Sequence, residues 1–143
     1  MTENNKRIAR RIIDEIFGEG RMEVADELTT AEFVGHDPSL PEPIRGAEGL
    51  KQAATGYRAG FPDLRIAVDE QCSEGNLVCT RWTATGTHSG EFWGTAPTGK
   101  QATVTGMTMD RIENGRVAES WTNWDALGLM QQLGMVATAT APA

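Results

Sequence analysis

Cysteine, histidine and long apolar runs are scarce in this 143-residue chain, and each scarcity removes a class of function. No apolar stretch approaches the ~20 residues of a bilayer-spanning helix. The segment Met1-Thr2-Glu3-Asn4-Asn5-Lys6 lacks the apolar core of a secretory signal, and no Asn-x-Ser/Thr sequon occurs, so a cytoplasmic protein with no membrane partner is expected. Lys and Arg number 13 against 20 Asp and Glu, for a net charge of −7. The basic residues form no run or stripe, which argues against nucleic acid and anionic membrane surfaces as partners. With only His36 and His88 present, and neither at ligand spacing, no catalytic metal is expected. Phosphate-binding glycine loops, a G-x-S-x-G nucleophile elbow and an H-E-x-x-H zinc motif are all missing. The two cysteines, Cys72 and Cys79, flank a candidate turn at Ser73-Glu74-Gly75-Asn76. That turn would set the sulfurs diagonally and leave two free thiols.

What is present is a change of period. Ile8, Ile12 and Ile16 recur at helical spacing, widened by Ile13 and Phe17, until Gly18 and Gly20 stop the helix. A short second helix is expected over Met22 to Leu28. Pro38, Pro41 and Pro43 then force a loop. A third helix runs from about Ala47 to Gly60, with Leu50, Ala54, Tyr57 and Phe61 on one face. From Leu64 onward the period becomes two, predicting strands beginning at Leu64 and over about Asn76–His88, Lys100–Ile112 and Arg116–Trp124. Asn114-Gly115 marks the last hairpin. A closing helix is predicted over Ala126–Leu133. The expected fold is one α+β domain over residues 1–135, its helices packed on one side of a curved, mostly antiparallel sheet. A disordered tail is expected over residues 136–143.

Several side chains carry candidate chemistry. His36, followed by Asp37-Pro38, could place an imidazole at a cavity mouth, where it would take or give a proton near neutral pH. It could equally be a surface histidine held by a neighbouring carboxylate. His88 lies between Gly86 and Gly90, at a bend that suits a structural hydrogen bond more than catalysis. Trp82, Trp93, Trp121 and Trp124 offer flat apolar faces with one N–H donor each, suited to an aromatic-ligand pocket or to core packing. Asp125 precedes the closing helix as its N-cap, a role that favours the anion and weakens it as a base. Asp110 and Glu119 are expected near each other across the last hairpin, more in keeping with two solvated groups on the outer face than with a coupled pair.

Phe61-Pro62-Asp63-Leu64, G-T-H-S-G-E-F-W-G-T-A-P-T-G beginning at Gly86, R-I-E-N-G-R-V beginning at Arg111 and W-D-A-L-G-L-M-Q-Q-L-G ending at Gly134 together resemble the SnoaL-like polyketide cyclases of the nuclear-transport-factor-2-like superfamily. The resemblance covers roughly residues 6 to 134. It implies a cone-shaped curved sheet wrapped around the N-terminal helices, enclosing one apolar pocket for a small apolar or aromatic ligand. It also implies a homodimer or small homo-oligomer packed through the sheet. The reaction implied is a cofactor-independent intramolecular aldol closure of an aromatic polyketide ester, in which an acidic side chain removes a proton alpha to carbonyls.

Residue by residue, the family's catalytic Asp matches Thr122, its helper His matches Thr108 and its early polar Asn matches Gly35. A threonine hydroxyl is no general base near neutral pH, yet it can orient a carbonyl or a water. The catalytic candidates are therefore His36 and Asp37. The substrate-binding candidates are Phe61, Trp82, Thr108, Trp121, Thr122 and Trp124. The alternative is a non-catalytic binding or carrier protein that keeps the pocket.

Overall fold

The structure, a computed structural model, describes residues 2–136. The tail expected to be disordered lies, from residue 137 onward, outside the described residues. Helix α1 (Thr2–Arg11) runs on into a π-helical stretch over Ile12–Gly18, burying Ile8, Ala9, Ile12, Ile13 and Ile16. Gly20, at φ +74°, ends this run in a conformation that costs glycine little. Arg58 of the third helix donates to the terminal carbonyls of Phe17 and Gly18 at 2.9 and 3.0 Å. Helix α2 spans Val24–Leu28, α3 spans Gly46–Gly60 and α4 spans Ala126–Gln132. As expected, Asp125 caps α4, accepting from the Gly128 N–H at 2.8 Å. No helix among the described residues is long and apolar enough to cross a membrane.

Six strands form one sheet: β1 (Thr29–His36), β2 (Ile44–Arg45), β3 (Arg65–Glu74), β4 (Leu77–Thr87), β5 (Gln101–Glu113) and β6 (Arg116–Trp124). Their order is β2-β1-β6-β5-β4-β3, and only the β1–β6 contact is parallel. Register shifts interrupt β1 between Thr29 and Val34, β3 between Val68 and Glu70, and β6 between Val117 and Glu119, opposite Arg111 and Ile112. Such bulges bend strands and sharpen the local twist, which suits a sheet that wraps around helices. One buried cluster joins α1, α2 and α3 to Phe33, Val78, Ile112 and Val117 of the sheet. A second, at the other end, gathers Phe61, Phe92, Ala102, Leu129 and Leu133. The architecture is the expected α+β fold, an open curved sheet with its helices on the concave side.

Two local expectations are corrected. The turn between β3 and β4 has only two residues, because Gly75 adopts φ +59° and Glu74 already pairs with Leu77. Cys72 and Cys79 therefore stand directly opposite one another, not diagonally, though both thiols are free as expected. A bulge at Ala118 of β6 likewise separates the two carboxylates of the last hairpin. Asp110 pairs with Ser120, whereas Glu119 pairs with Arg111, so the acids lie on opposite faces of the sheet.

Candidate functional site

An apolar cavity of about 140 Å³ extends between the two core clusters, reaching from Ile12 and Phe33 to Phe61 and Leu129. Its wall on the sheet comes from three rows of cross-strand neighbours, through Trp82, Thr108, Asp110, Ser120, Thr122 and Trp124. Trp82, Gly106 and Trp124 form the first row; Thr80, Thr108 and Thr122 form the second; Val78, Asp110 and Ser120 form the third, which Gly35 extends on β1. Period-two alternation sends all of these inward together.

Gly106 is what allows the first row. A Cβ there would lie 2.3 Å from the Trp82 ring and 2.8 Å from the Trp124 Cβ. With that space open, the Trp82 indole N–H donates to Thr108 Oγ1 at 3.1 Å. Thr108 and Thr122 are joined Oγ1 to Oγ1 at 2.9 Å. If the indole hydrogen goes to Thr108, and Thr108 in turn donates to Thr122, the Thr122 hydrogen is left free for a ligand acceptor. The chain is thus a directed donor in an apolar wall.

Asp110 lies one row further on. It lines the cavity, is 3% exposed, and has no hydrogen-bond partner for its carboxylate among the described residues. Burial alone pushes its pKa up to about 7, because the apolar wall disfavours the anion. A carboxyl poised near neutrality and aimed into a cavity is what general-base chemistry requires. The Ser120 hydroxyl side chain occupies the position directly across the strand pair. Sequence reasoning placed Asp110 on the outer face. The signal that would have found it was its spacing: Asp110 is two residues from Thr108, so an inward Thr108 makes Asp110 inward as well.

Asp37 also lines the cavity but is saturated. It accepts from Tyr57 Oη at 2.8 Å, from Ser39 Oγ at 2.6 Å and from the Ser39 N–H at 2.9 Å, with the Trp124 indole N–H at 3.3 Å. The same indole reaches Ser39 Oγ at 3.1 Å. Burial raises the Tyr57 pKa, so its hydroxyl stays protonated and donates. This knot ties the end of β1 to α3 and to the end of β6.

His36 does not pair with Asp37. Its Nε2 is 2.7 Å from Glu119, and its ring stacks on Trp121 with centroids 5.7 Å apart. Although His36 borders the cavity, Glu119 and Trp121 alternate with the inward Ser120 and Thr122, so the imidazole belongs to the outer face of the sheet. The partnership with His36 holds the Glu119 carboxylate below its ordinary pKa, with Arg111 adding to the effect. Trp121 itself is 37% exposed and does not line the cavity, while Trp82, Trp124, Phe61, Thr108 and Thr122 do.

The segment between β4 and β5 packs against Phe61 at one end of the cavity. His88 is fully buried, its Nδ1 bonded to Thr98 Oγ1 at 3.0 Å. Phe92 meets Phe61 edge-on at 5.2 Å. Trp93, at φ +49° and 39% exposed, stacks on Phe92 at 4.5 Å and stands 5.8 Å from Trp124.

A curved six-stranded sheet, helices on its concave side and an apolar cavity with a few convergent polar groups define a nuclear-transport-factor-2-like α+β protein. More narrowly, the family model for SnoaL-like polyketide cyclases matches residues 7–133, and the chain belongs to that family. A SnoaL-like polyketide cyclase assigned in Jannaschia sp. CCS1 is 26% identical, with 96% of this chain and 95% of that one covered at a TM-score of 0.85. IdmH of Streptomyces antibioticus, assigned as a polyketide cyclase, is 33% identical over 91% of this chain and 98% of its own, with a TM-score of 0.79. AclR of Streptomyces galilaeus, assigned as a hydroxylase, shares the fold at a TM-score of 0.84 with 22% identity, over 98% of this chain and 87% of its own. No curated protein matches.

Proposed function

We propose that this protein catalyses cofactor-independent acid–base chemistry, an aldol-type ring closure or a related isomerisation, on an apolar, ring-bearing small molecule, with Asp110 as the base. The observation that carries this reading is the unpartnered Asp110 carboxyl facing the cavity with its pKa near 7. In the ionised form it takes a proton from a carbon alpha to a carbonyl. The electron pair becomes an enolate, whose oxygen accepts the hydrogen bond directed through Trp82, Thr108 and Thr122. The enolate carbon then attacks a second carbonyl carbon of the same molecule. The resulting alkoxide regains a proton from the Asp110 carboxylic acid. Atoms balance as an isomerisation, and no co-reactant is needed.

The lining chemistry narrows the ligand. Asp37 and Asp110 are carboxylates, and no Lys or Arg lines the cavity, so a neutral ester or ketone suits it better than a free acid. A cavity near 140 Å³ is on the scale that admits a single aromatic ring. His36, bonded to Glu119 on the other face, is poorly placed for this role, and Asp37 is held by too many donors to be an effective base. The test is a screen of neutral aromatic polyketide esters by mass spectrometry and chromatography, run beside D110N. A cyclised or isomerised product formed by the native protein and lost in D110N supports the reading.

A second reading rests on Thr122 and Thr108 at the positions matching the family's acid and histidine: a binding or carrier protein that keeps the pocket. It expects saturable quenching of tryptophan fluorescence by aromatic esters, with no product from any of them. We further propose a homodimer through the outer sheet face, where Met107 is 50%, Met109 41% and Trp121 37% exposed. Cytoplasmic location remains part of this proposal.

A further inference from the structure

The outer face of the sheet carries a row of cross-strand neighbours running Cys72, Cys79, Met109, Trp121 and His36. Its first two members are the only cysteines in the chain. Cys72 lies on the edge strand β3 and is exposed, while Cys79 on β4 is half-buried. Both side chains emerge on the same face because the residues are direct partners. Counting outward from the two-residue turn, Glu74 and Leu77 form a hydrogen-bonded pair, Ser73 and Val78 a non-hydrogen-bonded one, and Cys72 and Cys79 a hydrogen-bonded pair again. Such pairs have Cα atoms about 5.5 Å apart, within the roughly 4.4–6.8 Å that a disulfide spans.

We infer that Cys72 and Cys79 are a reversible redox site, closing to an intramolecular disulfide across the β3–β4 hairpin with a small-molecule disulfide as oxidant. The loop between them is short and the ladder is already formed, so closure needs no change of fold. The Cβ atoms of a hydrogen-bonded pair stand about 5.5 Å apart, against roughly 3.5–4.5 Å in an unstrained disulfide, so the closed bond is strained and reducible. The thiols have distinct roles. Cys72, the exposed one, attacks a sulfur of oxidised glutathione, its proton going to solvent, and expels one glutathione thiolate. Cys79 loses its proton and attacks Cys72 Sγ in the mixed disulfide, expelling the second. One glutathione disulfide is reduced to two thiols as the two protein thiols are oxidised. Burial and the neighbouring Cys72 both raise the Cys79 pKa, which suits a second, resolving step.

The test uses the full chain with oxidised glutathione, read by intact mass and thiol titration. The native protein should lose two hydrogen masses and both titratable thiols, remain monomeric on a non-reducing denaturing gel, and recover both thiols with dithiothreitol. C79S should instead stop at one glutathione adduct. Closure should also be faster in the folded chain than in urea, since the fold sets the two sulfurs face to face. Glutathione adducts that persist on the native chain, disulfide-linked dimers, or closure no faster folded than unfolded would each overturn the inference. C72S with C79S separately controls for loss of fold, since both substitutions sit on the outer face and leave the cavity wall intact.

Discussion

Asp110 on β5 stands directly across from Ser120 on β6, inside the cavity, with no hydrogen-bond partner for its carboxylate among the described residues. A carboxyl in that setting is disfavoured as an anion, and its chemistry and its cost to stability both follow from the same burial.

D110N keeps the shape of the side chain and removes the base. Turnover of any substrate found should fall by roughly 10²–10⁴-fold, the usual contribution of a positioned acid–base group. In the native protein kcat should rise with pH through about 7 as Asp110 ionises. An unchanged rate in D110N, or a flat profile between pH 5 and 8 on about that scale, would remove Asp110 from the mechanism.

The stability of the protein should move the opposite way. The folded pKa of Asp110 lies above its ordinary value of 3.8, so the folded state binds the extra proton between 3.8 and about 7. Its favourable contribution is whole below the unfolded pKa and is lost as pH rises through the folded one. D110N should therefore raise Tm at pH 8 more than at pH 4, by no more than about 4 kcal/mol in stability at the higher pH. Equal Tm shifts at both pH values, measured by calorimetry, would contradict the buried, unpartnered carboxyl.

H36A should leave turnover within about threefold of native, because the imidazole engages Glu119 and Trp121 on the outer face. Loss of turnover with ligand binding retained, measured on the same preparation, would return His36 to the catalytic role its sequence neighbourhood suggests.

G106A should destabilise the fold by roughly 1–3 kcal/mol, since its Cβ would lie 2.3 Å from the Trp82 ring and 2.8 Å from the Trp124 Cβ. Ligand quenching of tryptophan fluorescence should weaken in parallel. A variant as stable as native in urea titration would mean the row relaxes more easily than its packing implies.

M109E puts a charge in the centre of the exposed Met107–Met109–Trp121 patch. If that patch is the dimer surface, the variant should sediment as a monomer while the native chain sediments as a dimer. A native monomer, or an M109E dimer, would count against it.

Much of the fold was legible because its signals are local. The isoleucine spacing of α1, the alternation from Leu64 onward, the Asn114-Gly115 turn and the Asp125 cap each depend on residues within a few positions of one another. The site was less legible. Trp82 and Trp124 were foreseen as wall residues, but Trp121 was grouped with them although it points the other way. The expectation for His36 leaves its orienting acid open between Asp37 and another carboxylate, and that acid is Glu119, 83 residues distant.

By itself, then, the sequence determined the family, the α+β architecture and the inward-facing Thr108 and Thr122. How β5 and β6 align across the last hairpin was decided only in three dimensions. A single bulge at Ala118 of β6, opposite Arg111 and Ile112, sets the register of β5 against β6, and in a strand a shift of one residue exchanges the two faces. That one backbone irregularity sets Asp110 opposite Ser120 and leaves the half-buried Glu119 to His36 and Arg111, and no local pattern of residue types encodes the irregularity itself.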